Sequence, residues 1–407
     1  MATIAVIGTL DTKGREHQFV ADCISQSGHQ AYLIDIGTGG DPQVIPYMSR
    51  EAVVSMGGLS PDVLRKDREQ AGAAMGEAAA RVLLKLIEQR KIHGVISLGG
   101  GSGTATATAA MRALPLGFPK VMVSTLAGGD TSNLVGTKDI VMIPSIVDIA
   151  GLNRISRPIL ASAAGAICGM IGSASIPPAQ SDRPLILASL FSGTSQAVLH
   201  AKTLLEKSGF EVVVFHANSS GSITMDSILE SGVAAGLLDM TATDWADEVV
   251  AGTPGSGPKR LEAAARSGTP SVIVPGGADM ARIDPRQPVP DRFRSRNLHP
   301  HSPQVTLLRT NVEENAEIGR RIAEKVNLST APVSVLLPLH GLSQIAGPGT
   351  PFHDADADRA LLQSLRGSLN PRIHVTEFEG GINDPIFAES CAHALLSNIR
   401  DKAARGA

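Results

Sequence analysis

Three short stretches in the first half of the chain carry the residue types that hold an anion. Gly8-Thr9-Leu10-Asp11-Thr12-Lys13-Gly14 follows the first apolar run. A turn there exposes backbone N–H groups at a helix N-terminus, which favours negative charge. Thr9 and Thr12 add hydroxyls, Lys13 adds a cation, and Asp11 is suited to a metal ion or a sugar. The alternative is a tight turn in which Thr or Asp caps the helix. Gly99-Gly100-Gly101-Ser102-Gly103-Thr104 is the stronger signal, with four glycines in its first five positions. Glycine lets backbone approach a ligand and form a nest of N–H groups, and a purely structural turn does not need so many. The third stretch runs from Ser124 to Asn133, with Thr125, Gly128, Gly129 and Asp130 as candidate contacts. Asp35 ends the second apolar run, where doubly wound folds place a ribose-binding carboxylate; it serves equally well as a capping residue. None of these is a GxGxxG or a Walker A sequence. Gly252 to Lys259 imitates the latter, but Pro258 splits the Gly-Lys pair and Arg260 replaces the hydroxyl residue, so it reads as a loop before a helix.

In the second half, polar residues again follow apolar runs. His216, Asp244, Asp279 and Asp384 fall near expected strand ends and form a candidate set for acid–base or metal chemistry. Their spacing matches no known metal motif, and each His alone more often has a structural role. His299 and His301 flank Pro300 and would share a face only if extended; they read as a loop. No GxSxG elbow is present, which disfavours a standard α/β-hydrolase mechanism.

The elements that position these residues alternate. Strands are expected at Thr3–Ile7, Gln30–Ile36, Gly94–Leu98, Lys120–Ser124 and Ile140–Ile143, with helices near Arg15–Gln26, Arg68–Arg90, Thr104–Ala113 and Pro158–Ile171. Met75, Ala79, Val82 and Leu86 mark one helix face. Alternating β and α elements imply a parallel, doubly wound sheet. Three loops following three strands then converge on one edge. The proline-punctuated stretch Ser173–Pro184 reads as a linker, after which the alternation restarts. The expectation is two Rossmann-like domains, 1–178 and 185–407, joined by 179–184, with the ligand facing an interdomain cleft. Both halves open strand, Gly-Thr turn, helix, Ser-Gly, strand. An ancient duplication produces such an echo, and so do any two βαβ openings.

Composition narrows the function classes. The 407 residues are 43% apolar and 18% charged, with a net charge of −3 and neither a basic stripe nor stacking aromatics, which argues against nucleic acid. Cys23, Cys168 and Cys391 are far apart and lack metal or disulfide spacing. The start shows no signal-peptide pattern, and Pro158–Ile171 is too short to span a bilayer. The expected setting is the cytoplasm.

With these stretches in view, the chain resembles the ATP-binding-domain family of the tomato tobamovirus resistance protein along essentially its whole length. The resemblance rests on IGTLDTKG, SLGGGSGT, VSTLAGGDTSN, DIAGLNRIS, RLEAAARSGTPSVIVPGGADM, VTLLRTNVEE, PFHDADADRALL and INDPIFA. It implies two Rossmann-like domains, ATP binding in the first, and self-association as a dimer. Residue by residue, it places the nucleotide on Gly8, Thr9, Asp11, Thr12 and Lys13, on Gly99 through Thr104, and on Thr125 and Gly128 through Asp130. Mg²⁺ is the ion expected to accompany ATP. In the plant protein the domain acts by binding a viral replication protein, an activity that need not carry over. This chain departs from the family at Asn218–Ile223, where members have a Thr/Gly-rich run, and at Gly380-Gly381, where they have a His. Three readings follow: a nucleotide-binding protein, a hydrolase or carbon–carbon lyase acting on a small organic acid, and a non-catalytic interaction module.

Overall fold

A computed structural model describes residues 1–65, 67–173, 182–250, 255–283, 289–303 and 305–406. Most of the expected linker, and the first part of the Walker-like decoy, lie outside these. The chain divides into two units, Met1–Gln180 and Ser181–Ala407.

In the first unit, β1 (Thr3–Gly8), β2 (Gln30–Asp35), β3 (Gly94–Gly99), β4 (Lys120–Ser124) and β5 (Val141–Pro144) form one parallel sheet in the order β2-β1-β3-β4-β5. The helices are α1 (Leu10–Gln26), α2 (Arg50–Met56), α3 (Arg68–Glu88), α4 (Gly101–Arg112), the short α5 (Ser132–Val135) and α6 (Ser156–Ser173). Every residue of β3 is buried, as a central parallel strand covered on both faces requires. Successive side chains alternate between those faces. Ala5, Ile7 and Val95 join the core with residues of α2, α3 and α4, while Ile4, Val6 and Ile96 join the core with residues of α1 and α6.

Two helices begin earlier than the apolar pattern indicates. α1 starts at Leu10 rather than Arg15, with a kink at Lys13 (φ −131°, ψ 25°). α4 starts at Gly101 rather than Thr104. Asp11, Thr12 and Lys13, and likewise Gly101, Ser102 and Gly103, are therefore first-turn residues and not free loops.

In the second unit, β6 (Leu185–Leu190), α7 (Ser195–Lys207), β7 (Glu211–His216), α8 (Ser219–Glu230), β8 (Ala234–Asp239), α9 (Thr243–Val250), α10 (Glu262–Ser267) and β9 (Ser271–Ile273) are followed by an antiparallel insertion. That insertion is β10 (Met280–Ile283), β11 (Leu298–Ser302) and β12 (Val305–Arg309), in the order β10-β12-β11. The chain closes with α11 (Val312–Val326), β13 (Val333–Pro338), α12 (Ala355–Ser368), β14 (His374–Phe378) and α13 (Pro385–Gly406). The main sheet is parallel, in the order β14-β13-β9-β8-β6-β7. Counted within its own unit, it repeats the 2-1-3-4-5 order of the first and adds a sixth strand. A duplication gives this order, which is also common among doubly wound sheets. Val305–Arg309 forms a strand of the antiparallel insertion and not of the wound sheet. β11 corrects the reading of His299 and His301 as a loop: both lie on this extended strand. His301 stacks on Phe191 at 6.0 Å and His299 meets Phe352 edge-on at 6.1 Å.

Candidate functional site

In the first unit the chain leaves β1 toward β2 on one side and β3 toward β4 on the other. Strand order therefore reverses between β1 and β3, the position at which open α/β sheets bind ligands. An open cleft of about 1200 Å³ lies there. Its walls come from all five strand ends: Thr9, Asp11, Thr12 and Lys13 after β1, Thr38 to Gly40 after β2, Gly100 to Gly103 after β3, Ser124, Thr125 and Gly128 around the end of β4, and Pro144 to Asp148 around the end of β5.

The floor of the cleft is the start of α4. Gly100 is its N-cap and supplies no side-chain hydrogen bond, and the first turn holds no acidic residue. The opening N–H groups of a helix lack intrahelical partners and carry the positive end of its dipole. A Cβ built on Gly101 meets nothing within 4 Å, so the backbone there is open to the cleft. Gly103 brings α4 next to the first loop, its Cβ position lying 3.8 Å from Thr9 Oγ1. The Lys13 ammonium donates to the Ile149 carbonyl. Asp11 Oδ2 accepts from Gly39 N–H at 2.9 Å and so ties the loops after β1 and β2 together. Among the described lining residues Lys13 is the single cation, against Asp11 and Asp148. Any attraction for an anion therefore depends on backbone dipoles more than on side-chain charge.

Ten of the sixteen candidate nucleotide residues line the cleft: Thr9, Asp11, Thr12, Lys13, Gly100, Gly101, Ser102, Gly103, Thr125 and Gly128. The other six support it. Asp35, a candidate for the sugar, is 1% exposed, and its Oδ1 accepts from Leu10 N–H (3.2 Å) and Gly37 N–H (2.9 Å). It caps the start of α1 from the neighbouring strand, and burial raises its pKa against those hydrogen bonds. Thr104 is buried, with its hydroxyl on the Gly99 carbonyl (3.1 Å) and Ser124 Oγ (2.7 Å). Gly99 is crowded by the backbone of Gly103 and Thr104. Gly129 donates to the Leu126 carbonyl within the turn after β4. Asp130 accepts from Ser132 N–H at the start of α5.

Gly8 exposes a residue that sequence reading missed. A Cβ there would lie 2.0 Å from His17 Nε2. His17 is fully buried between the ends of β1 and β3, whose pairing stops at Ile7 and Ser97. Its Nδ1 donates to the Lys13 carbonyl at 2.7 Å, and its Nε2 accepts from Leu98 N–H at 3.3 Å. Both bonds are satisfied by the neutral ring protonated at Nδ1. Burial lowers its pKa to about 4, although the Lys13 and Ile7 carbonyls and Glu16 favour the proton. The imidazole thus wedges the two central strands apart beneath the cleft. The loop after β2 was also missed, although Gly37-Thr38-Gly39-Gly40 carries the same glycine signal as the others. The Ala71–Gly72 wall had no comparable signal. It reaches the cleft because α3 packs closely on α4, with a Cβ on Gly76 only 3.1 Å from Ala109 Cβ.

At the corresponding crevice of the second unit, between β6 and β8, the space is filled. Thr194 and Thr241 are buried and hydrogen-bond each other at 2.8 Å. A Cβ on Gly276 would overlap Ile382 and the Met240 carbonyl. The four candidate catalytic residues are placed as follows. Asp244 is 2% exposed and held by Ser222, Arg282 (3.3 Å) and Arg260 (3.7 Å). Asp279 is wholly buried and accepts from Ser343 Oγ at 2.8 Å. Asp384 accepts from Ile386 N–H at 2.9 Å and caps α13. His216 ends the edge strand β7 with its ring against Phe191 at 5.6 Å, and burial followed by Arg282 lowers its pKa. Two of the four are thus sealed from solvent, because a buried carboxylate persists only with partners. Their partners lie tens of residues away.

Matches to known proteins cover both units. The uncharacterised protein family UPF0261 matches through its N-terminal domain over residues 2–175 and through its C-terminal domain over residues 183–399. The chain belongs to the UPF0261 family. Among its UPF0261 relatives, a protein of Clostridium tetani is 43% identical, covering 98% of this chain and 99% of its own length. One from Rhizobium meliloti is 40% identical over 97% of this chain. The tomato ToMV resistance protein Tm-1(GCR237) is 32% identical over 96% of this chain, which spans 55% of that protein. Solved structures that match include the UDP-GlcNAc 2-epimerase of Methanocaldococcus jannaschii, 8% identical with a TM-score of 0.23, covering 67% of this chain and 83% of that one. A likeness at that score carries no functional argument. No helix among the described residues is long and apolar enough to cross a membrane.

Proposed function

We propose that this UPF0261 chain binds a nucleotide, with ATP the first to test, in the cleft of its first unit. The observation that carries the reading is the start of α4. Three consecutive small residues, Gly101, Ser102 and Gly103, face a cleft at the strand-order reversal, and the N-cap Gly100 supplies no side-chain hydrogen bond. A phosphate group there meets the positive end of the helix dipole with negative charge. The cleft, at about 1200 Å³, exceeds the roughly 300–1,000 Å³ of ordinary small-ligand pockets, so a nucleotide has room. The family resemblance favours ATP over other phosphates. Among the described residues no three His, Cys, Asp or Glu side chains gather to hold a metal. A Mg²⁺ ion arriving with the nucleotide would take most of its ligands from phosphate and water, with Asp11 or Asp148 as the protein's share.

The test is calorimetry with Mg-ATP on wild type and on Gly101→Asp. The open space at Gly101 admits the side chain, and a carboxylate in the first turn of α4 occupies the anion's place while favouring the helix. The expected result is binding by wild type, at least tenfold weaker binding by the variant, and an unchanged melting temperature. Absence of binding at millimolar ATP by folded wild type overturns the reading. The proposal extends to a cytoplasmic homodimer, which light scattering coupled to gel filtration tests for the assembly.

A further inference from the structure

Three described non-glycine residues have positive φ: Arg90 at 53°, Ile146 at 62° and Leu261 at 72°. Arg90 lies just beyond the end of α3, where a left-handed residue closes a helix. Leu261 is 7% exposed and joins a core cluster, so burial offsets its conformation. Ile146 has neither explanation. It is β-branched, the residue type for which positive φ is most unfavourable, and it is 76% exposed.

Its surroundings hold it in that conformation. Val147 N–H donates to the Ser145 carbonyl at 2.7 Å, a three-residue turn with Ile146 at its centre. Ser145 Oγ donates to the Val147 carbonyl, also at 2.7 Å. Ser145 is itself 4% exposed and anchored to β4, its N–H on the Ser124 carbonyl at 3.1 Å. A buried serine with three hydrogen bonds thus holds an exposed isoleucine in a strained turn on the wall of the cleft. Such strain persists where the surrounding structure over-determines it, and it gathers at ligand sites.

The cleft is also uneven. Its N–H-rich part lies at β1 and β3, whereas Pro144, Ile146 and Val147 make an apolar stretch at the end of β5. β5 is two strands from β3, about 10 Å at ordinary strand spacing. From phosphates seated on α4, a nucleoside's sugar and base reach across that interval.

We propose that Ile146 is a specificity-determining residue that packs against the nucleoside portion of the bound nucleotide, while the start of α4 holds the phosphates. This rests on the nucleotide reading above. The test compares two probes, Mg-ATP and inorganic tripolyphosphate, by calorimetry on wild type, Ile146→Gly and Ile146→Asn. Gly and Asn both accept positive φ without the apolar side chain. The expected result is an ATP affinity about tenfold lower in both variants, with tripolyphosphate affinity within about twofold of wild type. Unchanged ATP affinity overturns the role of Ile146 and leaves the nucleotide reading standing. Equal losses for the two probes overturn it as well, since Ile146 would then only shape the loop. If wild type does not bind ATP, the nucleotide reading falls and this assignment falls with it.

Discussion

The buried imidazole of His17 makes the stability of the first unit depend on pH in a calculable way. Its pKa falls from the ordinary 6.5 to about 4 because burial disfavours the charged ring. At about 1.4 kcal/mol per pKa unit, this difference is worth about 3 kcal/mol. The sign follows from proton binding. In the unfolded chain His17 takes up a proton as pH falls through 6.5, whereas in the folded unit it does so only near 4. Stability is therefore fully present above 6.5 and declines as pH falls from 6.5 to 4, by about 3 kcal/mol. The perturbation is His17→Gln, which removes the titration and keeps a polar side chain against Leu98 N–H. The assay is urea unfolding at several pH values, followed by tyrosine near-UV circular dichroism. Both tyrosines, Tyr32 and Tyr47, belong to the first unit and stack at 3.8 Å, whereas the lone Trp245 belongs to the second. Wild type should lose about 3 kcal/mol more than the variant between pH 7 and 4. Equal pH slopes for wild type and variant would show that His17 is not the buried neutral wedge described above.

Two further outcomes separate the units. Lys120 is wholly buried and its ammonium donates to the Pro115 (2.8 Å) and Phe118 (2.7 Å) carbonyls while pairing with Asp139 (2.8 Å). Lys120→Met should cost the first unit about 3 kcal/mol in the same tyrosine-monitored unfolding, and a loss under about 1 kcal/mol would contradict that reading. In the second unit, burial raises Asp226 and Asp247 to about 6, with Arg260 opposing at Asp226 and Arg282 at Asp247. Their contribution is present below the unfolded value of 3.8 and is lost as pH rises through about 6. Trp245-monitored stability should therefore decline across that window, and Asp226→Asn should flatten the decline; a variant as steep as wild type would refute it.

Much of the candidate site was legible because its signals are local. A strand that ends in glycine and hands over to a small-residue helix start needs only a dozen contiguous residues to be recognised. Thr9 to Lys13, Gly100 to Gly103, Thr125 and Gly128 were found in this way, and the alternation of elements implied that their loops share one sheet edge. The Gly37–Gly40 loop carried the same local signal. The destinations of side chains were not legible, because their partners are remote in sequence. Asp35 reads equally as a ribose ligand or a cap until Leu10 and Gly37 are seen to donate to its carboxylate. Asp244 and Asp279 read as reactive carboxylates until Arg260, Arg282 and Ser343 fold onto them. His299 and His301 read as a loop until β12 pairs with them. The sequence by itself determined the strand–helix alternation and the glycine-rich strand ends, since backbone conformation and periodicity are set over short stretches. The tertiary structure alone decided that His17 wedges the first crevice open while Thr194 and Thr241 seal the second, because burial and pairing depend on residues brought together from far apart in the chain.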